Sequence, residues 1–208
     1  MVDITLSVLL CSVILLCASG DSAQVVTAKT SLRTLDVVVA ELLEAARIPG
    51  GIEVMRGCNE LESKRFEVAT VPISAALTNL SEVERTLTWH KIGPSYLITI
   101  TSVGSPIVTT VEIPPLQLKG KTLAEASDIL LQEQATRNRI AGLKVSEGPS
   151  NIGFSSIHDR DRRDISLPAD TLRDDLNALA AAFGPAIWQL AQRECGGRRS
   201  FRLSWIAK

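Results

Sequence analysis

Phe66–Trp89, FEVATVPISAALTNLSEVERTLTW, reads as strand, turn, helix and strand, and the rest of the chain is organised around it. Phe66 and Val68 alternate with polar neighbours, the period of a half-buried strand. Pro72 suits the opening of a helix, where its missing N–H would have had no partner. Ile73, Ala76, Leu77 and Leu80 follow at helical spacing, and Leu87 and Trp89 return to a period of two. The stretch occurs twice. In Asp164–Trp188, DISLPADTLRDDLNALAAAFGPAIW, the residues Ile165, Leu167, Leu176, Leu179 and Trp188 each lie 99 positions after Phe66, Val68, Leu77, Leu80 and Trp89. The chain has only 3 tryptophans, so two at one offset mark an internal duplication.

The duplication extends outward from these stretches. Upstream of the first, Thr34 caps a predicted helix whose apolar stripe is Leu35, Val38, Val39, Leu42, Leu43 and Ala46. Pro49-Gly50-Gly51 ends it, and Ile52 and Val54 make a strand. Downstream, Gly93-Pro94 turns the chain, and Tyr96, Ile98 and Ile100 form the return strand of a hairpin. The second unit repeats the order: a strand over 108–113, then a helix over 122–136 opened by the capping box Thr122–Glu125. Gly142, Leu143 and Val145 then echo Gly51, Ile52 and Val54, and Phe201, Leu203 and Trp205 echo the return strand. The offset is 88 at the first helix, 91 at the strand after it and 99 at the repeated stretch, rising only in loops. The expectation is an α+β fold of two tandem β-α-β-β-α-β(-β) units, residues 21–101 and 108–206 with a linker at 102–107. In each, helices pack on one face of a small sheet.

The 208 residues carry 45% hydrophobic side chains, enough for one or two small cores, and a net charge of −1 with no long basic run. That excludes a phosphate-binding surface of the usual kind, and no nucleic acid partner is expected. Ile4–Ala18 is an apolar run interrupted only by small polar residues and cysteines, the length of a signal-peptide core and short for a membrane span. Residues 1–20 are expected to be a signal peptide, cleaved near Gly20, although no Lys or Arg precedes Lys29; an uncleaved anchor is the alternative. The mature chain then keeps Cys58 and Cys195, and two cysteines in an exported chain invite a disulfide, against two unpaired thiols in separate loops.

The order helix, Gly-Ile-x-Val strand, strand, Val-Pro-Ile-Ser-x-Ala-Leu-x-x-Leu helix and Leu-x-Trp hairpin resembles the secretin and TonB short N-terminal (STN) domain. Residues 24–101 match best, and 108–206 match more loosely, without the Pro and small residues of Val71–Ala76. The resemblance implies a periplasmic β-α-β-β-α-β unit that passes signals or builds rings by contacting other proteins. No secretin channel or outer-membrane barrel follows it in this sequence.

Chemistry-bearing motifs are sparse. His90 lies near a hairpin turn, and His158 opens the loop HDRDRRD. Arg160, Arg162 and Arg163 compete for Asp159, Asp161 and Asp164, which speaks against a calcium loop. No GxGxxG, CxxC, HExxH or GxSxG occurs. Trp89 and Trp188 read as core anchors, with Trp205 partly exposed. The expected function is therefore an exported cell-envelope interaction module, with no catalytic activity, cofactor, metal or small-molecule substrate. It would bind an envelope protein or copies of itself along the last strand of a unit, Tyr96, Ile98 and Ile100 or Phe201, Leu203 and Trp205. The alternative is a small exported hydrolase using His158 and a nearby carboxylate.

Overall fold

The computed structural model describes residues 25–29, 32–59, 61–148 and 161–206. The fold is α+β. The first half runs β1 (Val25–Lys29), α1 (Leu35–Ala45), β2 (Gly50–Arg56), β3 (Glu67–Pro72), α2 (Ile73–Val83), β4 (Leu87–Ile92) and β5 (Ser95–Thr101). After a 3-10 turn at Val108–Thr110 come β6 (Glu112–Ile113), β7 (Leu116–Lys121), α3 (Leu123–Gln132), α4 (Gln134–Gly142) and β8 (Val145–Glu147). The second half ends with β9 (Arg163–Leu167), β10 (Asp170–Thr171), α5 (Leu172–Ala182), β11 (Ile187–Cys195) and β12 (Arg198–Ile206).

The same pairings occur in each half. β1 pairs antiparallel with β3 in a ribbon against α1 and α2, and β7 pairs antiparallel with β9 in a ribbon against α3 and α5. β4–β5 and β11–β12 are hairpins, and each second strand takes a parallel neighbour, β2 beside β5 and β8 beside β12. The two three-strand sets do not stand apart. They merge into one six-stranded sheet in the order β4-β5-β2-β11-β12-β8, because β2 pairs in parallel with β11 over seven positions, Gly50–Arg56 against Ile187–Arg193.

Paired positions share a face of a sheet, so the register sorts the cores. Ile52, Val54, Ile98 and Ile100 point to the face covered by α1 and α2 and form one buried cluster with Leu77 and Leu80. Trp188, Leu190, Leu203 and Trp205 point to the other face and form a second cluster with Leu130, Leu176 and Leu179 of α3 and α5. The helices of each half thus cover one face of their own strands, but the two halves use opposite faces. Strand directions reverse as well. A half turn about the axis crossing the strands, with a step of three strands, carries the first half onto the second. The halves also exchange a residue each: Ile187 joins the first cluster and Leu97 the second.

Two expected elements of the second half fall elsewhere. The strand expected over 108–113 is a 3-10 turn followed by the two-residue β6, and the counterpart of β1 is β7. Pro114-Pro115 has no backbone donor, so the longer strand forms beyond it and runs directly into α3. The helix expected over 122–136 ends at Gln132 and restarts at Gln134, since Glu133 is extended (φ −56°, ψ 133°) and its carboxylate accepts from the Thr136 N–H. α4 then runs through Gly142, which ends a helix instead of opening a strand as Gly51 does. The capping box at the start of α3 forms as read, between Thr122 and Glu125.

Candidate interaction edges

Gly51 and Trp188 sit opposite one another where the halves meet. A Cβ on Gly51 would lie 2.1 Å from the Trp188 ring, so only glycine lets the indole cross the sheet there. The ring is held in turn by a 2.9 Å bond from its Nε1–H to Oδ1 of Asn177 on α5. Next along β2, Glu53 is 1% exposed and accepts two bonds from Arg173 of α5, at 2.6 and 3.0 Å, and one from the Thr99 hydroxyl at 3.3 Å. A buried carboxylate needs such partners, and this one obtains them from both halves. On the other face Gln189 of β11 donates to Asp36 of α1 at 2.7 Å. The segment expected as a linker is pinned too: Ile107 and Val108 N–H donate to the buried Gln192 side chain. Cys58, just past β2, and Cys195, the last residue of β11, form a disulfide with their Cα atoms 4.6 Å apart. It closes the C-terminal end of the β2·β11 joint, where Arg193 also donates to the Cys58 carbonyl.

The last strands of the two units are not sheet edges. Tyr96, Ile98 and Ile100 lie in β5, flanked by β4 and β2; Phe201, Leu203 and Trp205 lie in β12, flanked by β11 and β8. All six are buried, Trp205 at 2% exposure included. In each unit the parallel neighbour covers the hairpin's second strand; the first strand of the first hairpin, β4, is left outermost, while that of the second, β11, pairs with β2. The edges of the six-stranded sheet are β4 and β8. On β4, Thr88, His90, Lys91 and Ile92 are exposed and Trp89 is half-buried against Tyr96, ring centroids 5.7 Å apart. Beside β8 a shallow cavity of about 140 Å³ is lined by Leu131, Ile140, Ala141, Val145 and Phe201, with Arg137 and Glu147 at its rim. Hydrophobic period alone does not distinguish an outer strand from an inner one. The polar run Thr88-x-His90-Lys91 on one hairpin arm was the available signal for β4.

Nothing in the described residues assembles a catalytic group around a histidine. His90 is exposed on β4, and His158 and Asp159 lie outside the described residues, as does the signal segment. Asp161 pairs with Arg163, and Asp164 accepts from the Gly120 N–H, so both carboxylates have protein partners. No cluster of three or more His, Cys, Asp or Glu placed for a metal occurs among the described residues. A cavity of about 480 Å³ lies beside Cys58, walled by Leu35, Leu61, Phe66, Ile100 and Val103. Of its ionic groups, Lys64 is bonded to Glu84 at 2.9 Å and lies 3.8 Å from Glu62, and Glu84 first of all raises the Lys64 pKa. Among the described residues the most perturbed acid is Asp175, in the first turns of α5, which burial and then Asp170 and Asp174 push up to about 7. It is 1% exposed and lines neither cavity. No helix among the described residues is long and apolar enough to cross a membrane, and a disulfide between loop and strand is compatible with export.

Comparison with known proteins found no matching family model, no matching curated protein and no matching solved structure.

Proposed function

We propose that this chain is an exported, non-catalytic interaction module of the cell envelope that binds an extended segment of a partner protein along an outer edge of its sheet. The observation that carries the reading is the edge strand β4, whose exposed Thr88, His90 and Ile92 flank backbone unpaired by any other described strand. An unpaired edge is a template for an added strand, and the chain already uses this device once, where β2 receives β11. The order of elements over residues 25–101, together with the Leu-x-Trp hairpin, supports a likeness to the STN domain and with it a periplasmic setting. Export rests on the apolar run Ile4–Ala18 and on the Cys58–Cys195 bridge. N-terminal sequencing of the protein from its own envelope is expected to begin at or near Asp21, and an intact Met1 in a soluble cytoplasmic fraction would refute export.

A photo-crosslinking residue at Thr88 or His90, in the protein expressed in its own cell, is expected to form adducts that one at the exposed Asn79 of α2 does not. Adducts from Asn79 with none from β4 or β8 would place the contact on the helical face and overturn the edge reading.

A further inference from the structure

We propose that the open face of the β11–β12 hairpin, on the side of the sheet where α1 lies, is a docking site for an acidic, extended segment of a partner protein. The inference goes beyond the edge-binding reading and does not depend on it. The register sorts the charges of four strands by face. Arg56 of β2 stands level with Arg193 of β11, that residue with Ser200 of β12, and Ser200 in turn with Ser146 of β8. Residues two apart on a strand share a face, so Arg198 and Arg202 of β12 join them. The acids of the same strands, Glu53, Glu147 and Glu194, all have the opposite parity and lie on the face of α3 and α5. Arg199 is the one cation of these strands on that side, and its Nε lies 3.2 Å from the Glu194 carboxylate. The net charge of the chain is −1, so the four arginines are a local excess. Alternation along the strands hides it from a reading of the linear sequence.

The face is open and its cations are unmet. Arg198 and Arg202 are exposed and Ser200 and Ser204 half-buried, while Phe201, Leu203 and Trp205, alternating with them on the other face, are buried. Among the described residues no carboxylate pairs with Arg56, Arg198 or Arg202, and the Arg193 guanidinium donates only to the Cys58 carbonyl. Arg56 and Arg193 each keep a buried Nε–H without a partner among those residues. Two guanidinium groups side by side repel, and the Cys58–Cys195 disulfide holds their strands together just beyond them. A carboxylate between them turns that repulsion into attraction, and the planar fork of arginine suits it. Spacing fits an extended chain. Alternate side chains of a strand stand about 7 Å apart, so Arg198 and Arg202 match acids four residues apart in an added segment. The floor between the arginines is low, formed by Ala191, Ser200 and Ser204. Gln189, on the same face, is bonded to Asp36 of α1, so α1 stands beside this floor as a wall about 10 Å thick. A flat bilayer is held off by that wall, and the face has only the half-buried Ile206 to insert. An acidic peptide therefore fits it better than an anionic membrane.

The probe is a fluorescent peptide of about ten residues in which Thr and Glu alternate, so that its extended form puts every carboxylate on one side. Anisotropy at low salt is expected to show saturable binding to the disulfide-bonded protein, weakening as salt is added. Arg198→Ala and Arg202→Ala, both at exposed positions, are each expected to weaken binding about threefold and together about tenfold, with thermal unfolding unchanged. Arg199→Ala removes the same charge from the opposite face of the same hairpin and is expected to leave the affinity as it was. An equal loss in Arg199→Ala would show that overall charge and not this face holds the peptide, and overturns the proposal. Vesicles of phosphatidylglycerol and phosphatidylcholine are expected to bind little; vesicles bound through Arg198 and Arg202 in preference to the peptide would assign the face to a membrane and overturn the proposal as well. So would the absence of peptide binding at low salt. None of these substitutions touches β4, so its photo-crosslinking tests the edge-binding reading separately.

Discussion

Trp188 crosses the sheet over a position without a side chain, and that contact makes a sharp test of the inter-unit joint. Gly51→Ala sets a Cβ 2.1 Å from the indole, which is fully buried and bonded through Nε1 to Asn177, so the ring has little room to move. The expected cost is about 3 kcal/mol, the upper part of the range for overpacking a rigid core, read from urea unfolding followed by tryptophan fluorescence. Gly142→Ala is the matched control, since a Cβ there meets nothing within 4 Å, and it is expected to be neutral or slightly stabilising within its helix. Equal effects at the two glycines would show that the Trp188 contact does not govern the joint. Asp175 makes a different prediction. Its carboxyl is buried, and Oδ2 has no hydrogen-bond partner among the described residues. Its pKa in the folded protein is about 7 against an ordinary 3.8, so the folded state holds the proton more tightly than the unfolded chain. The associated stability is fully present below about pH 4 and is lost as pH rises toward 7. Asp175→Asn is expected to flatten that part of the pH profile and to stabilise the protein at pH 8, measured by urea unfolding across pH 4–8. A variant less stable than the parent at pH 8 would contradict the assignment.

At the scale of elements, α5 is tied to β2 by one ion pair that serves both halves. Arg173→Ala leaves Glu53 buried without its cation and is expected to cost about 3–5 kcal/mol. The double variant Glu53→Leu/Arg173→Met removes both charges and is expected to recover most of that loss. If the double variant is no better than Arg173→Ala, packing of the Arg173 stem and not the charge is the source of the effect. Glu53 was visible in the sequence as an acid inside the apolar strand Gly50–Met55, but its partner 120 positions away was not, because only the merged sheet brings α5 over β2. The first half was the more legible, although α1 stops at Ala45, before Pro49-Gly50-Gly51, whose glycines lie in β2, and Thr34 makes no side-chain cap. Its helices carry clean stripes, its loops carry Gly and Pro, and α1, β2, α2 and the β4–β5 hairpin fall where periodicity places them. The second half was harder at two points, both local. Pro114-Pro115 displaced a strand, and Glu133 broke a helix whose apolar stripe runs on past it. Neither the fusion of the two sheets nor the identity of their edges could be read, since strand order is settled by long-range pairing. A period of two marks β4, β5 and β12 alike.

For the whole molecule the question is whether two cores joined by one sheet behave as one cooperative unit. The buried clusters are nearly separate, exchanging Ile187 and Leu97, with Ala191 and Ile206 of the second half also packed on the first, so cohesion falls mainly to the β2·β11 joint and its tethers. The Cys58–Cys195 bridge spans a sequence separation of 137 and staples that joint at its end. In the chain-entropy model a loop of that size contributes about 5 kcal/mol, and Cys58→Ala/Cys195→Ala is expected to lose a large part of it. The joint keeps its seven paired positions and the Glu53–Arg173 pair, so calorimetry of this variant is expected to show one transition at a lower temperature. Adding Arg173→Ala removes the second tether between the halves, and the endotherm is expected to split or broaden, with a calorimetric enthalpy exceeding the van't Hoff value. A single sharp transition in the triple variant would show instead that the β2·β11 pairing, with the Gln189–Asp36 bond and the side chains packed across the joint, suffices to couple the two cores, and the duplicated halves would then count as one folding unit.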